Sequence, residues 1–147
     1  MIELGKSIDE IEIGEEASFT KTISESDVYL FAGITGDFNP LHVNDEYAQK
    51  TQFGERIAHG GITLSFVAPI LGMQLPGVGT IALELSGKFL APVKFGDTIT
   101  VTAKVTAKDE SKNRVSLSVI WANQEGTTVC IGETTVIPPV KEKSGYL

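Results

Sequence analysis

The stretch Gly61–Leu75, GITLSFVAPILGMQL, is apolar on nearly every side over a length that suits a helix. A helix without a polar face has to be buried, so the rest of the chain must supply a surface that encloses it. Pro69 is expected to kink this helix or end its first half, because it removes an amide donor and crowds the preceding turn. The apolar run from Ile62 is too short to cross a bilayer and is interrupted by Ser65, Pro69 and Gly72, which argues against a membrane span.

The enclosing surface is legible downstream. Ile99, Val101, Ala103 and Val105 alternate with Thr98, Thr100, Thr102 and Lys104, and Val115, Leu117, Val119 and Trp121 alternate with Ser116, Ser118 and Ile120. A period of two marks strands with one buried face. The polar turn Asp109–Asn113 joins them, Gln124-Glu125-Gly126 leads into a strand over Val129–Ile137, and Pro138-Pro139 stops it. Ile81–Leu90 reads as a further strand and Ala17–Ile23 as an edge strand.

Upstream, Ser24 with Asp27 three residues on is a helix-start signature, followed by Val28, Leu30, Phe31 and Ile34 and closed at Gly36-Asp37. A short helix over about Asp45–Lys50 follows. A strongly curved antiparallel sheet around one buried helix is the simplest way to hide both patterns. The expectation is one α+β domain over residues 1–140, with a frayed tail at residues 141–147.

With 147 residues, 41% of them hydrophobic and 21% charged, the chain can bury a core without cross-links. Its one cysteine, Cys130, excludes an internal disulfide and a Cys-rich metal site and fits a reducing cytoplasm. The opening MIELGKSIDE lacks the basic-then-apolar pattern of a signal peptide. A net charge of −7 without a cluster of Lys and Arg argues against a nucleic-acid partner.

The candidate chemistry lies in Asp37–Gln52, DFNPLHVNDEYAQKTQ, and in His59-Gly60-Gly61. On a continuous helix Asp37 and His42 would be roughly 140° apart around the axis. Pro40 forces Asn39 out of helical geometry and makes a turn, so both side chains can face one cavity. A carboxylate beside an imidazole can move a proton near neutral pH. The two glycines precede the buried helix, where bare N–H groups can meet a developing negative charge. A structural role explains the same residues differently. Gly-Asp-x-Asn-Pro is good turn chemistry, with Asp37 and Asn39 bonding their own backbone, and glycines before a helix allow close packing. His59 is expected to fix its loop, and Thr63 and Ser65 to bond back to helix carbonyls.

The segment Gly36-Asp37-Phe38-Asn39-Pro40-Leu41-His42, followed after sixteen residues by His59-Gly60, resembles the MaoC-like (R)-specific enoyl-CoA hydratases, including those that feed polyhydroxyalkanoate synthesis. The likeness continues through Gln74-Leu75-Pro76-Gly77 and LAPVKFGDT within Phe89–Thr98. It implies the hot-dog fold, a curved antiparallel sheet wrapped around one long central helix, and a homodimer whose sheets join edge to edge. It implies Asp37 and His42 as the catalytic pair, the Gly60 N–H as oxyanion donor, and Asn39 as the brace of the turn. Gly61 stands where a bulkier apolar residue is common, and Ala68 where polyhydroxyalkanoate-linked members tend to carry serine.

The implied reaction is reversible hydration of a trans-2-enoyl-CoA to the (R)-3-hydroxyacyl-CoA. Coenzyme A is then the handle of the substrate and no cofactor is expected, nor a metal. An acyl carrier protein is an alternative carrier. Gly61, Phe66 and Ile70, with Leu71, Met73 and Phe89, are expected to shape the acyl pocket, and Arg56, Lys88 and Lys94 are possible phosphate contacts. Two other functions of the fold remain open: a thioesterase, against which stands the lack of an acid between Gly61 and Leu75, and a non-catalytic acyl-thioester-binding protein.

Overall fold

The structure is a computed structural model that describes residues 1–141. All but the first residue of the expected frayed tail therefore lie outside the described residues. The chain begins with a strap whose Gly5 and Lys6 amides donate to Val78 and Pro76 carbonyls at 2.9 and 2.8 Å, followed by a short 3-10 turn over Ile8–Glu10.

Strand β1 (Glu16–Thr22) leads into α1 (Glu25–Thr35), which starts on the anticipated capping box. Asp27 N donates to Ser24 Oγ at 3.1 Å and Ser24 N to Asp27 Oδ2 at 2.9 Å, which satisfies two amides that the first turn leaves unpaired. Gly36, at φ 80°, closes the helix in a conformation that a Cβ would penalise. Only Val28 and Ala32 of α1 are buried. Leu30 and Ile34 are 64% and 81% exposed, so the apolar residues of α1 do not form a single inward stripe.

Asn39 leaves helical geometry as expected, but Pro40 then begins a helix rather than a plain turn: α2 (Pro40–Val43), joined through Asn44 to α3 (Asp45–Gln49). Asn39 Oδ1 caps α2 by accepting from Leu41 N at 3.1 Å, and Pro40 takes the first helical position, where a missing N–H has no consequence.

The central helix is divided at Phe66-Val67 into α4 (Gly60–Ser65) and α5 (Ala68–Met73), with Pro69 in the first turn of α5. Ile62, Thr63, Phe66, Val67, Ile70, Leu71 and Leu75 are buried. Ser65, Ala68 and Met73 are exposed, so the segment is covered on one side only within a single chain.

The sheet runs β1-β4-β5-β6-β2, all antiparallel, with β2 (Ile81–Leu85), β4 (Thr98–Asp109), β5 (Arg114–Ala122) and β6 (Thr128–Ile137); the two-residue β3 (Lys88–Phe89) also pairs with β6. The strand expected over Ile81–Leu90 is thus broken at Ser86-Gly87. There the Ser86 carbonyl crosses so close to Gly132 that a Cβ on Gly132 would lie 1.8 Å from it.

On the inner face Val115, Leu117, Val119 and Trp121 face Val136, Thr134, Gly132 and Cys130 across the β5–β6 ladder. With Ile99, Val101, Ala103 and Val105 they form the core against α4 and α5. The outer face beside β1 is a hydroxyl ladder, Ser18–Thr102, Thr20–Thr100 and Thr22–Thr98, at 3.1, 2.9 and 2.7 Å. At the other end β2 is an open edge whose Ile81, Leu83 and Leu85 are 58, 47 and 44% exposed. This antiparallel sheet packed on a central helical segment is the α+β, hot-dog architecture.

Candidate active site

The residues from Gly36 to Thr63 form a ledge over the end of α4. Asp37 Oδ1 accepts from Asn39 N at 3.1 Å, closing an Asx turn that leaves the other oxygen, Oδ2, free. Oδ2 lies 4.0 Å from His42 Nε2. The His42 ring is buried, and its Nδ1 is 2.7 Å from the Ile57 carbonyl, which can only accept. Nδ1 therefore carries a proton and neutral His42 presents a lone pair at Nε2. Ile57 is held in turn by Ala58 N donating to Val93 O at 2.7 Å and by a bridge between Ile57 and Lys94.

Asp37 Oδ2 and His42 Nε2 are thus two acceptors at a separation one water spans. A water about 2.8 Å from each would have an angle of about 90° between its two hydrogen bonds, near its natural geometry. Asp37 is half exposed and His42 enclosed, so the pair straddles the boundary between solvent and interior.

His59 fixes the ledge from beneath. Its Nε2 donates to the Asp37 carbonyl at 2.9 Å, and its ring stacks on His42 with centroids 3.9 Å apart and meets Phe31 at a tilt of 56° with centroids 4.9 Å apart. Nδ1 of this buried histidine has no partner. Asp37, His42 and His59 each place one possible ligand atom within 4.8 Å of the others. The two rings stack 30° from parallel, and the third member of the group, Asp37, is exposed.

Gly60 opens α4 with His59 as its cap, so its N–H has no acceptor within the helix. A Cβ at Gly60 would lie 2.6 Å from Phe89 Cζ, and one at Gly61 2.6 Å from Phe31 Cζ; both glycines are there for close approach. A cavity of about 200 Å³ brings His42 and Gly60 together with Thr63, Phe89, Val93 and Val129; Asp37 does not line it, so of the pair expected to share a cavity only the imidazole reaches its wall.

Of the residues expected to shape an acyl pocket, Phe89 lines this cavity and Phe66 and Ile70 do not. Phe66 packs edge-on against Phe19 and lines a separate cavity of about 170 Å³ with Phe31 and Leu30, while Ile70 is fully buried in the core. Gly61 faces Phe31, which fills the space a larger residue would take. Asn39 turns its side chain to the backbone. Phe66 and Ile70 lie beyond the end of α4 and face the core, and the cavity wall comes instead from Phe89, Val93 and Val129, remote in sequence.

Arg56 is committed to structure: it bonds Glu25 at 2.8 Å, Asp45 at 3.2 Å and the Tyr29 hydroxyl at 2.8 Å, and lies 4.7 Å over the Phe95 ring. The Glu25 carboxylate raises its pKa further. Lys94 pairs with Glu55 at 2.7 Å, whereas Lys88 has no ion pair among the described residues. Cys130 is buried, and desolvation raises its thiol pKa, so it is an inert core residue. Ser65 Oγ bonds back to Ile62 O at 2.6 Å as expected, but Thr63 Oγ1 makes no hydrogen bond. No helix among the described residues is long and apolar enough to cross a membrane.

A family model described as "MaoC like domain" matches residues 9–124. The chain is 47% identical over 133 residues to an (R)-specific enoyl-CoA hydratase of Rhodospirillum rubrum, covering 90% of this chain and 92% of that protein. It is 37% identical over 139 residues to a 3-hydroxybutyryl-CoA dehydratase of Methylorubrum extorquens, covering 95% and 88%. Among solved structures, the (R)-hydratase of Aeromonas caviae involved in polyhydroxyalkanoate biosynthesis superposes with a TM-score of 0.85 at 37% identity, covering 88% of this chain and 98% of that one. An unliganded R-hydratase of Pseudomonas aeruginosa gives 0.87 at 38%, covering 97% and 94%.

Proposed function

This chain belongs to the MaoC-like domain family, and from that premise we propose that it interconverts trans-2-enoyl-CoA and (R)-3-hydroxyacyl-CoA, a hydro-lyase reaction. The observation that carries the reading is the pair of acceptors 4.0 Å apart, Asp37 Oδ2 and His42 Nε2, of which His42 lines a cavity together with Gly60. The thioester oxygen accepts from the Gly60 N–H. Water held by Asp37 and His42 adds its oxygen to C3 and yields a proton to one member of the pair. That proton is returned to C2, so hydroxide and hydrogen from one water molecule complete the product. Charge gathers on the thioester oxygen during addition, and a fixed donor there is worth about 3 kcal/mol in comparable oxyanion sites. Coenzyme A enters as part of the substrate, and the chain's own residues supply the proton transfer without a cofactor.

The protein acts as a homodimer in this reading, in the cytoplasm. The apolar β2 edge supports the dimer, since an unpaired edge carrying exposed Ile81, Leu83 and Leu85 is a template for pairing with a second chain. The exposed Ser65, Ala68 and Met73 of the central helices ask for the same cover.

Crotonyl-CoA tests the function directly. Expected is loss of the conjugated enoyl absorbance without thiol release, and a product that only an (R)-specific 3-hydroxyacyl-CoA dehydrogenase oxidises. Thiol release would make the protein a thioesterase, and an unchanged spectrum would leave a binding protein.

A further inference from the structure

Thr63 is 1% exposed, lines the same cavity as His42 and Gly60, and keeps its hydroxyl without a hydrogen-bond partner. A threonine inside a helix ordinarily gives its hydroxyl to a carbonyl one turn back. Ser65 of the same helix does so, whereas Thr63 does not. A buried hydroxyl left unpaired is unfavourable unless a ligand bonds it.

Geometry indicates which ligand atom. Thr63 follows Gly60 by three residues, so the two share a helix face. Helical side chains lean toward the N-terminus and cover the turn before their own Cα. A Thr63 side chain leaning that way sits over the turn that begins at Gly60, and both residues line the same cavity. It bonds no histidine or other base, so it is not activated as a nucleophile.

We propose that Thr63 Oγ–H is a second donor to the thioester carbonyl oxygen, beside the Gly60 N–H, and hence a catalytic residue in the hydration. This rests on the enoyl-thioester reading above. One donor stabilises the oxygen; two also fix the tilt of the carbonyl, and with it the position of C3 against the water on Asp37 and His42. No bond of the threonine is made or broken.

The test uses Thr63→Val, which keeps the shape and removes the donor, and Thr63→Ser, which keeps the donor. The probe is butyryl-CoA labelled with carbon-13 at the thioester carbonyl; being saturated, it binds without being hydrated. Difference infrared spectra then report hydrogen bonding to the carbonyl whether or not the protein turns over. Expected is a bound carbonyl band lowered relative to water in the wild type and Thr63→Ser, and returned to higher wavenumber in Thr63→Val. With crotonyl-CoA, kcat of Thr63→Val should fall roughly 10- to 100-fold while KM stays within about threefold, and Thr63→Ser should stay near wild type. The Tm of Thr63→Val should not fall, because it loses a buried hydroxyl that nothing bonds.

The same carbonyl band in wild type and Thr63→Val overturns the proposal, as does failure of butyryl-CoA to bind. Equal damage in Thr63→Ser and Thr63→Val assigns the effect to the lost packing and overturns it too. A band that depends on Thr63 in a protein that does not hydrate crotonyl-CoA supports the donor and removes the hydratase reading instead.

Discussion

Strands β4, β5 and β6 and the ledge from Gly36 to Thr63 treat buried polar groups in opposite ways. In the strands the inward positions are almost all apolar, and the one inward hydroxyl, Thr134 facing Leu117, is bonded to the Glu84 carbonyl at 2.7 Å. On the ledge each key side chain gives one atom to the backbone and keeps a second free. Asp37 uses Oδ1 and keeps Oδ2, His42 uses Nδ1 and keeps Nε2, and His59 uses Nε2 and keeps Nδ1. The bound atom sets orientation; in Asp37 and His42 the free atom is the one the proposed reaction uses, whereas His59 Nδ1 is enclosed. The turn reading of Asp37-Phe38-Asn39-Pro40 is therefore compatible with the catalytic proposal, because the turn uses one carboxylate oxygen and leaves the other free. Trp121 Nε1 breaks the pattern on the strand side: it is buried without a partner.

The contrast breaks most sharply if stability and turnover fail to separate. Leu117→Ala, at a fully buried strand position, should lower stability by about 2–5 kcal/mol in a denaturant titration and leave kcat per folded molecule within about twofold. Asp37→Asn and His42→Ala should do the reverse, each reducing crotonyl-CoA turnover by at least about a hundredfold in protein that retains its circular dichroism spectrum. Near-normal turnover in a folded double variant would reduce the ledge to turn chemistry.

Smaller effects sharpen the boundary between the regions. Ser24→Ala removes the cap of α1, the helix that leads into the ledge, and should lower stability by about 1 kcal/mol with little change in kcat, read from the same titration. The smallest effect concerns Glu10, outside both regions, whose carboxyl is held down at about 2 by Lys141 and by the Ser7 amide. A carboxyl with a lowered folded pKa contributes stability above its unfolded value of 4.5 that disappears as pH falls toward about 2. Glu10→Gln should thus melt slightly below wild type at pH 7 and show a shallower fall in Tm between those pH values, so that the two proteins converge near pH 2 in thermal melts.

Legibility in the sequence follows the range of the interactions. The alternation on β4 and β5, the Ser24-Asp27 box, the break at Pro69 and the convergence of Asp37 and His42 all come from residues within a few positions of one another. The helix beginning at Pro40 was hidden because only four residues carry it, too few for a period. The outward turn of Leu30 and Ile34 could not be read from their apolar character, since what covers them is not a property of their neighbours in sequence.

By itself the sequence determined the strand pattern, the cap of α1 and the bend that brings Asp37 near His42, because strand periodicity, capping and proline geometry act locally and need no partner from elsewhere, and its motifs carried the kinship. Only the tertiary structure decided that Ile57 sets the His42 tautomer, that Phe31 fills the space at Gly61, that the cavity wall comes from Phe89, Val93 and Val129, and that the Thr63 hydroxyl is left unbonded. Those facts depend on segments that are far apart along the chain and meet only when the sheet closes over α4, where packing rather than local propensity chooses the neighbours.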